Sequence, residues 1–266
     1  MTSVAPASRR APREGGIWIS LVAVAATVLL WEALARVGVL STVLFSSPSV
    51  IATTLVQSIA SGEMISHAVA TMWRTGAGLV LGAVPGLLLG LAMGWSRTLR
   101  RTLDPLLAAI HPIPKIAILP LIMIFLGVGE SSRIAVAAVA AFFPLLINAM
   151  AGVRQINPLY FEVAETYGAS KLKLFTHVVI PGSLPLVLSG MRLAANVTLL
   201  VTIAAEIVMA ERGLGSLVWL AWETLRVELL YATLIVIALL GVALTGSLSA
   251  LRRRLVPWQI DVASAR

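Results

Sequence analysis

The chain has 266 residues, of which 59% are apolar and only 12% charged, with a mean hydropathy of +0.96. A water-soluble domain is typically about 45–50% apolar and about 25% charged, so there is too little polar surface here to cover a globule in water, and a soluble fold is excluded. The absence of cysteine removes disulfides and thiolate metal sites. The formal charge of +8 lies between apolar runs, where it reports membrane topology rather than a nucleic-acid face.

The first residues, 1–16, are polar, carry Arg9, Arg10 and Arg13, and read as a disordered cytoplasmic tail. The apolar run from Ile17 to Ala35 is longer than a signal-peptide core and closes on no small-residue cleavage pattern, so it predicts a retained first span. A membrane helix needs about 20 apolar residues at 1.5 Å each. Five further runs satisfy this, near 69–95, 104–127, 132–152, 183–209 and 229–250. The expected fold is an all-α membrane protein with six transmembrane helices within 17–256, followed by a second cytoplasmic tail, 257–266.

Two of these spans have internal punctuation. Gly78, Gly82, Gly86, Gly90 and Gly94 recur every four residues in the second, a spacing that lets helix backbones approach closely. Pro105, Pro112, Pro114 and Pro120 interrupt the third. Proline removes a backbone donor, and at membrane depth the freed carbonyls are tolerated only against protein or a water-filled cavity, which places this span beside a pathway.

The cationic residues give the orientation. Arg9, Arg10, Arg13, then Arg97, Arg100, Arg101, then Arg154, Lys171, Lys173, then Arg252, Arg253, Arg254 and Arg266 fall on one side of a six-span arrangement, 3 + 3 + 3 + 4 = 13. Arg36, Arg133, Arg212 and Arg226, four residues, fall on the other. Cationic loops stay in the cytoplasm, so both termini are expected inside.

The longest connection, 153–182, then lies in the cytoplasm. Asn157 suits an N-cap and Pro158 a first helical position, so 158–167 reads as a short helix, ended at Gly168, with a second amphipathic piece over 170–176. An interfacial helix lying on lipid and a docking element for a cytoplasmic partner both fit that pattern.

The segment EVAETYGASKLKLFTHVVIPGSLP, residues 162–185, resembles the EAA loop of bacterial ABC importer permeases, approximately E-A-A-x-x-x-G followed nine residues later by I-x-L-P. Glu162, Ala164 and Gly168 match, and Ile180 takes the later aliphatic position, whereas Val163 and the Pro181–Pro185 ending depart from the pattern. The glycine-spaced run 71–94, the proline-broken run 103–130, and 189–215 with Gly190, Arg192, Glu206, Gly213 and Gly215 are similar to the nitrate/sulfonate/taurine-type subfamily. The likeness covers about 45–250.

That resemblance implies the type I permease fold, with a cytoplasmic coupling helix between the fourth and fifth spans. Glu162, Ala164, Glu165, Gly168, Ala169 and Lys171 would contact the motor: Ala164 and Gly168 by keeping one face small, the glutamates by pairing with basic groups of the partner or by local capping. It also implies a cytoplasmic ATP-binding-cassette ATPase dimer that carries the ATP and magnesium, this chain binding no cofactor. A second copy of the permease would complete the pathway and an extracytoplasmic solute-binding protein would deliver the substrate. The pathway would rest open inward in a bacterial inner membrane. The cargo class is a small anion such as an alkanesulfonate, taurine or nitrate, although relatives also carry pyrimidine precursors and aromatic acids.

Ionisable and polar residues inside spans mark pathway candidates. Lys115 follows a Pro-x-Pro pair, where a cation facing a cavity suits an anion and a local carbonyl partner is the alternative. Met123 is a further candidate, and the polar stripe Asn196, Thr198 and Thr202 either lines the pathway or bonds neighbouring helices. For Glu206, near the outer end, its match to the family position implies a gate or an inter-helix contact. Arg192 is fourteen residues from it, about 21 Å along one helix, so the two cannot pair; Arg192 is expected to snorkel or bond a neighbouring span. Arg74 is expected to reach the outer interface.

No G-x-x-x-x-G-K-[ST] phosphate loop is present: the chain's three lysines are Lys115, Lys171 and Lys173. His67, His111 and His177 show no metal spacing. A secondary transporter would carry inverted repeats and mid-depth acids, and an intramembrane enzyme would carry clustered catalytic polar groups; neither pattern is seen.

Overall fold

The computed structural model describes residues 15–41, 44–209 and 211–257, and every regular element among them is helical. The expected tails, with Arg9, Arg10, Arg13 and Arg266, fall almost wholly outside the described residues. Among the described residues five helices are long and apolar enough to cross a membrane, or six if one sharply bent pair counts as a single broken span. The described residues thus form the all-α fold that the sequence predicts.

Helix α1 (Gly15–Arg36) leaves most of its apolar side chains exposed, a surface that hydrocarbon solvates and water does not. It is anchored at its far end, where Trp31 meets Tyr231 edge-on with centroids 5.6 Å apart. There the Glu32 carboxylate accepts from the Ser49 backbone N–H at 3.0 Å and from its hydroxyl at 2.8 Å. This ties down the first turn of α2 (Pro48–Ala60), a short helix that the hydropathy pattern missed.

The core is a sandwich of three long helices. α3 (Glu63–Trp95) presses its glycine stripe on α6 (Glu130–Arg154). A Cβ at Gly78 would lie 2.5 Å from Ala137 Cβ, one at Gly86 2.5 Å from the Phe142 carbonyl oxygen, and one at Gly82 would overlap the Ala138 carbonyl oxygen. The other face of α6 takes α9 (Ile180–Met209) in the same way, since a Cβ on Gly152 would lie 2.9 Å from the Ser183 carbonyl oxygen. The spacing of small residues in the sequence is thus spent on backbone contact.

The third expected span is not one helix. α4 (Arg97–Ile110) is capped by Ser96, whose hydroxyl accepts from Leu99 N–H at 3.2 Å. After it the chain turns by 88° through His111–Pro114 and a 3₁₀ turn at Lys115–Ile118 into the short α5 (Leu119–Leu126). Pro112 and Pro114 supply no N–H across the break, whereas Pro120 sits in the first turn of α5, where none is needed. Leu119 is buried with Val136 and Ala205, so α5 packs on α6 and α9.

Beyond α6 come α7 (Pro158–Thr166) and α8 (Lys171–Leu174), then a π-helical turn over Phe175–Val179 that leads into α9. The second piece expected over 170–176 is therefore split between α8 and this turn. α10 (Leu214–Glu223), also unforeseen, fills the end of the bundle with the buried residues Leu214, Leu217 and Ala221. α11 (Val227–Leu255) runs back alongside α9, with the Thr245 hydroxyl donating to Asn196 Oδ1 at 2.9 Å.

Candidate functional site

Asn157 caps α7 as its sequence position requires: Oδ1 accepts from Leu159 N–H at 3.0 Å, with Pro158 in the first turn. Ser170 does the same for α8, accepting from Lys173 N–H at 3.4 Å. Between them Gly168 has φ +73, the left-handed region natural to glycine, and a Cβ there would meet nothing within 4 Å. The knee is thus both sharp and open.

One side of this element faces the bundle. Trp95, the last residue of α3, lies 6.2 Å from the Phe161 ring and 6.0 Å, edge-on, from the Phe175 ring. Leu174 and Val179 are buried behind it. The outward side carries Leu159, Val163 and Tyr167 at i, i+4, i+8, and all three are exposed, Tyr167 at 87%. Glu162, Glu165 and Lys171 are exposed as well, while Ala164 and Ala169 are half-buried. Among the described residues, neither glutamate nor Lys171 makes an ion pair.

The pathway candidates separate in space. Lys115 lies at the α4–α5 break, its Nζ donating to the His111 carbonyl at 2.6 Å and the Ile113 carbonyl at 2.8 Å. Met123 packs on the Leu119, Val136 and Ala205 cluster. Asn196 lines a cleft between α9 and α11, with Gly241 and Thr245. Thr198 and Thr202 are fully buried, Thr198 bonded back to the Ala194 carbonyl at 2.6 Å, so the three residues do not form one solvent-facing stripe. Arg192 is half-buried, and its Nε has no partner.

Glu206 belongs to an ionic cluster at the opposite end from α7. Its carboxylate accepts from Arg74 Nη1 at 2.7 Å, Thr71 Oγ1 at 2.8 Å and Gly215 N–H at 3.0 Å. Arg74 also donates to the Arg212 carbonyl and, through Nε at 2.8 Å, to Glu130. Arg133 joins by pairing with Glu130 at 3.3 Å and with Glu211. Arg74, Arg133 and Glu206 are each 1% exposed. The expectation that Arg74 reaches the interface is therefore wrong: a carboxylate on α9 and another on α6 hold it inside. A Cβ on Gly213 would strike the Glu206 carboxylate, so the turn before α10 closes directly over the pair.

The chain matches the family described as binding-protein-dependent transport system inner membrane components over residues 86–260. It belongs to this family. It is 32% identical to the taurine transport system permease protein TauC of Escherichia coli K12 over 258 residues, 95% of this chain and 94% of that one. It is 35% identical to the E. coli K12 chain SsuC, named for aliphatic sulfonates transport, over 87% of this chain and 88% of that one. It is 30% identical to the formylaminopyrimidine transport permease protein ThiX of Halalkalibacterium halodurans, over 87% and 92%.

As a member of this family the chain is the permease subunit of an ABC importer, a multi-pass membrane protein that transports and is not itself an enzyme. Among the described residues no three His, Cys, Asp or Glu side chains converge to hold a metal ion. The ionic cluster was missed by sequence reasoning, although a signal existed. Arg74 and Glu206 are opposite charges near the same end of two different spans, and intramembrane charges pair with one another.

Proposed function

We propose that this permease carries a small anion of the sulfonate or taurine type, driven by a cytoplasmic ATP-binding-cassette ATPase dimer that grips α7 and α8. The observation that carries the coupling role is the two-sided construction of that element. Aromatic contacts fasten one side to the end of α3, while the other presents an unpaired stripe of Leu159, Val163 and Tyr167 beside the open knee at Gly168. A lever needs this form, stiff toward what it moves and exposed toward what pushes it. Exposed apolar side chains flanked by unpaired Glu162, Glu165 and Lys171 suit a protein partner with complementary charge.

The cationic asymmetry supports a cytoplasmic position for α7, with both termini inside and ATP and magnesium bound by the partner. Arg97–Arg101 follow Trp95, which touches α7; Arg252–Arg254 end α11, which runs antiparallel to α9. All therefore lie at the α7 end, as the retention of cationic loops requires. A second copy of this chain would complete the pathway, and an extracytoplasmic binding protein would load it. The cargo class is supported by the names of the relatives TauC and SsuC.

The test is co-purification. The wild-type chain should retain the ATPase and show ATP-dependent uptake of a sulfonate in proteoliposomes. Gly168→Trp places a bulky group at the docking knee, with some strain in its left-handed backbone, and should lose the ATPase at least tenfold while the permease still elutes as a folded species. Full ATPase retention and full uptake by that variant would rule out docking at this element.

A further inference from the structure

The break between α4 and α5 holds a feature that coupling does not use. Lys115 lines a cavity of about 250 Å³, together with His111, Phe143, Asn148, Leu193 and Val197. Its ammonium lies 4.4 Å from the centre of the Phe143 ring, and the His111 ring lies 5.3 Å from the same ring. Phe143 is the fourteenth of the 25 residues of α6, about 20 Å from one end of that helix and about 17 Å from the other at 1.5 Å per residue. The cation therefore sits near mid-depth, where a charge is most costly.

Its bonding leaves that charge uncompensated. The two groups that accept from it, the His111 and Ile113 carbonyls, are neutral, as is the ring face. Among the described residues Lys115 makes no ion pair, in contrast to Arg74 and Arg133, which are each matched by carboxylates. Asn148 adds a polar group to the wall: one amide hydrogen goes to the Pro144 carbonyl at 2.8 Å, which leaves its second N–H and its oxygen free for the cavity. An irregular backbone at depth, and a small pocket beside an ammonium that the Phe143 face preorients and no counter-ion neutralises, are what a transient anion site needs.

We infer that the Lys115 cavity is a mid-membrane station for the cargo's anionic group, with the ammonium held in place by the broken-helix carbonyls and the Phe143 face, and the moving anion serving as its counter-ion. This rests on the reading of the cargo as a small anion and extends it to a specific site.

The chain has no cysteine, so Val197→Cys puts one thiol on the cavity wall. Its labelling rate is measured on the full-length chain in lipid nanodiscs, with and without the ATPase, using a sulfonatoethyl thiosulfonate (anionic) and a trimethylammonium-ethyl thiosulfonate (cationic). The anionic reagent should react about tenfold faster, as one nearby unpaired cation in a low-dielectric site predicts. That preference should vanish in Lys115→Gln and persist in Lys115→Arg, and ethanesulfonate should slow the anionic reagent. Equal rates in the parent, a preference that survives Lys115→Gln, or no labelling by either reagent would overturn the inference. If Lys115→Gln does not fold, the parent's reagent preference and its protection by ethanesulfonate decide the matter. Intact labelling preference without ATP-driven sulfonate uptake would count against the cargo reading alone, and loss of docking at α7 leaves the labelling unchanged.

Discussion

Arg74 carries more of the architecture than its sequence position suggests. It is 1% exposed and donates to Glu206 on α9, Glu130 on α6 and the Arg212 carbonyl before α10. Such a group is stable inside only while its partners remain, because removing one member of a buried pair leaves an uncompensated charge, at a cost of about 3–5 kcal/mol. Glu206→Ala should therefore lower the thermal midpoint of the purified chain sharply, or abolish folded yield. Thr71→Val removes one neutral hydroxyl that donates to Glu206 and accepts from Leu214 N–H, and should cost about 1–3 kcal/mol. Equal melting of Glu206→Ala and wild type would show that the pair is not formed. Composition made Arg74 look like a snorkelling residue because a long side chain near a span end usually reaches water. Only the tertiary fold shows that two acids lie nearer. For Glu206 the family resemblance offered a gate or an inter-helix contact, and its bonds to Arg74 and Thr71 on α3 make the contact.

At the scale of elements, the sequence is most informative where small residues repeat. The glycine stripe of α3 predicted close packing, and the structure puts Gly82 directly against the backbone of α6. Gly76 lies on the same helix with nothing within 4 Å of an added Cβ, so the two make a controlled pair. Gly82→Val should separate α3 from α6 at a cost of about 1–3 kcal/mol or more. Gly76→Ala should be neutral, or stabilising by about 0.5–1 kcal/mol through the helix preference of alanine. Thermal unfolding of both variants in the same detergent checks this, and a similar loss in both would mean that the seam is not a backbone contact. The helices that sequence reasoning missed, α2 and α10, have 13 and 10 residues, too short to register as spans. Their burial comes from partners distant in sequence: Ile51 of α2 and Leu214, Leu217 and Ala221 of α10 share one cluster with Met64 and Leu229. The prolines of the third span marked a disturbance, but its angle is set by the way Leu119 docks between α6 and α9, which no local pattern encodes.

For the whole molecule, the two ends of the bundle are built differently. One is locked by the buried Arg74, Arg133 and Glu206, with the half-exposed Glu130 and Glu211, across α3, α6, α9 and the turn before α10. The other carries cationic segments and α7–α8, where among the described residues Glu162, Glu165 and Lys171 make no ion pair and the stripe of Leu159, Val163 and Tyr167 is exposed. A permease that changes conformation under an ATPase needs one such coherent block and one surface on which force is applied. Fold class and the short capped helix α7 were readable from the chain because hydropathy and the Asn157–Pro158 capping pattern act locally. The separation of Asn196, Thr198 and Thr202 was not, because a helical period alone does not say which neighbour each face meets.

The most direct test uses Tyr167, the exposed tip of that surface. Tyr167→Cys adds a single thiol to a cysteine-free chain, and its labelling is followed in right-side-out vesicles containing the assembled importer. An impermeant maleimide should react only after permeabilisation, and a thiol-to-amine crosslinker should join the residue to the nucleotide-hydrolysing subunit. Labelling from the outside of sealed vesicles, or no crosslink in an importer that still takes up its cargo, would contradict the account.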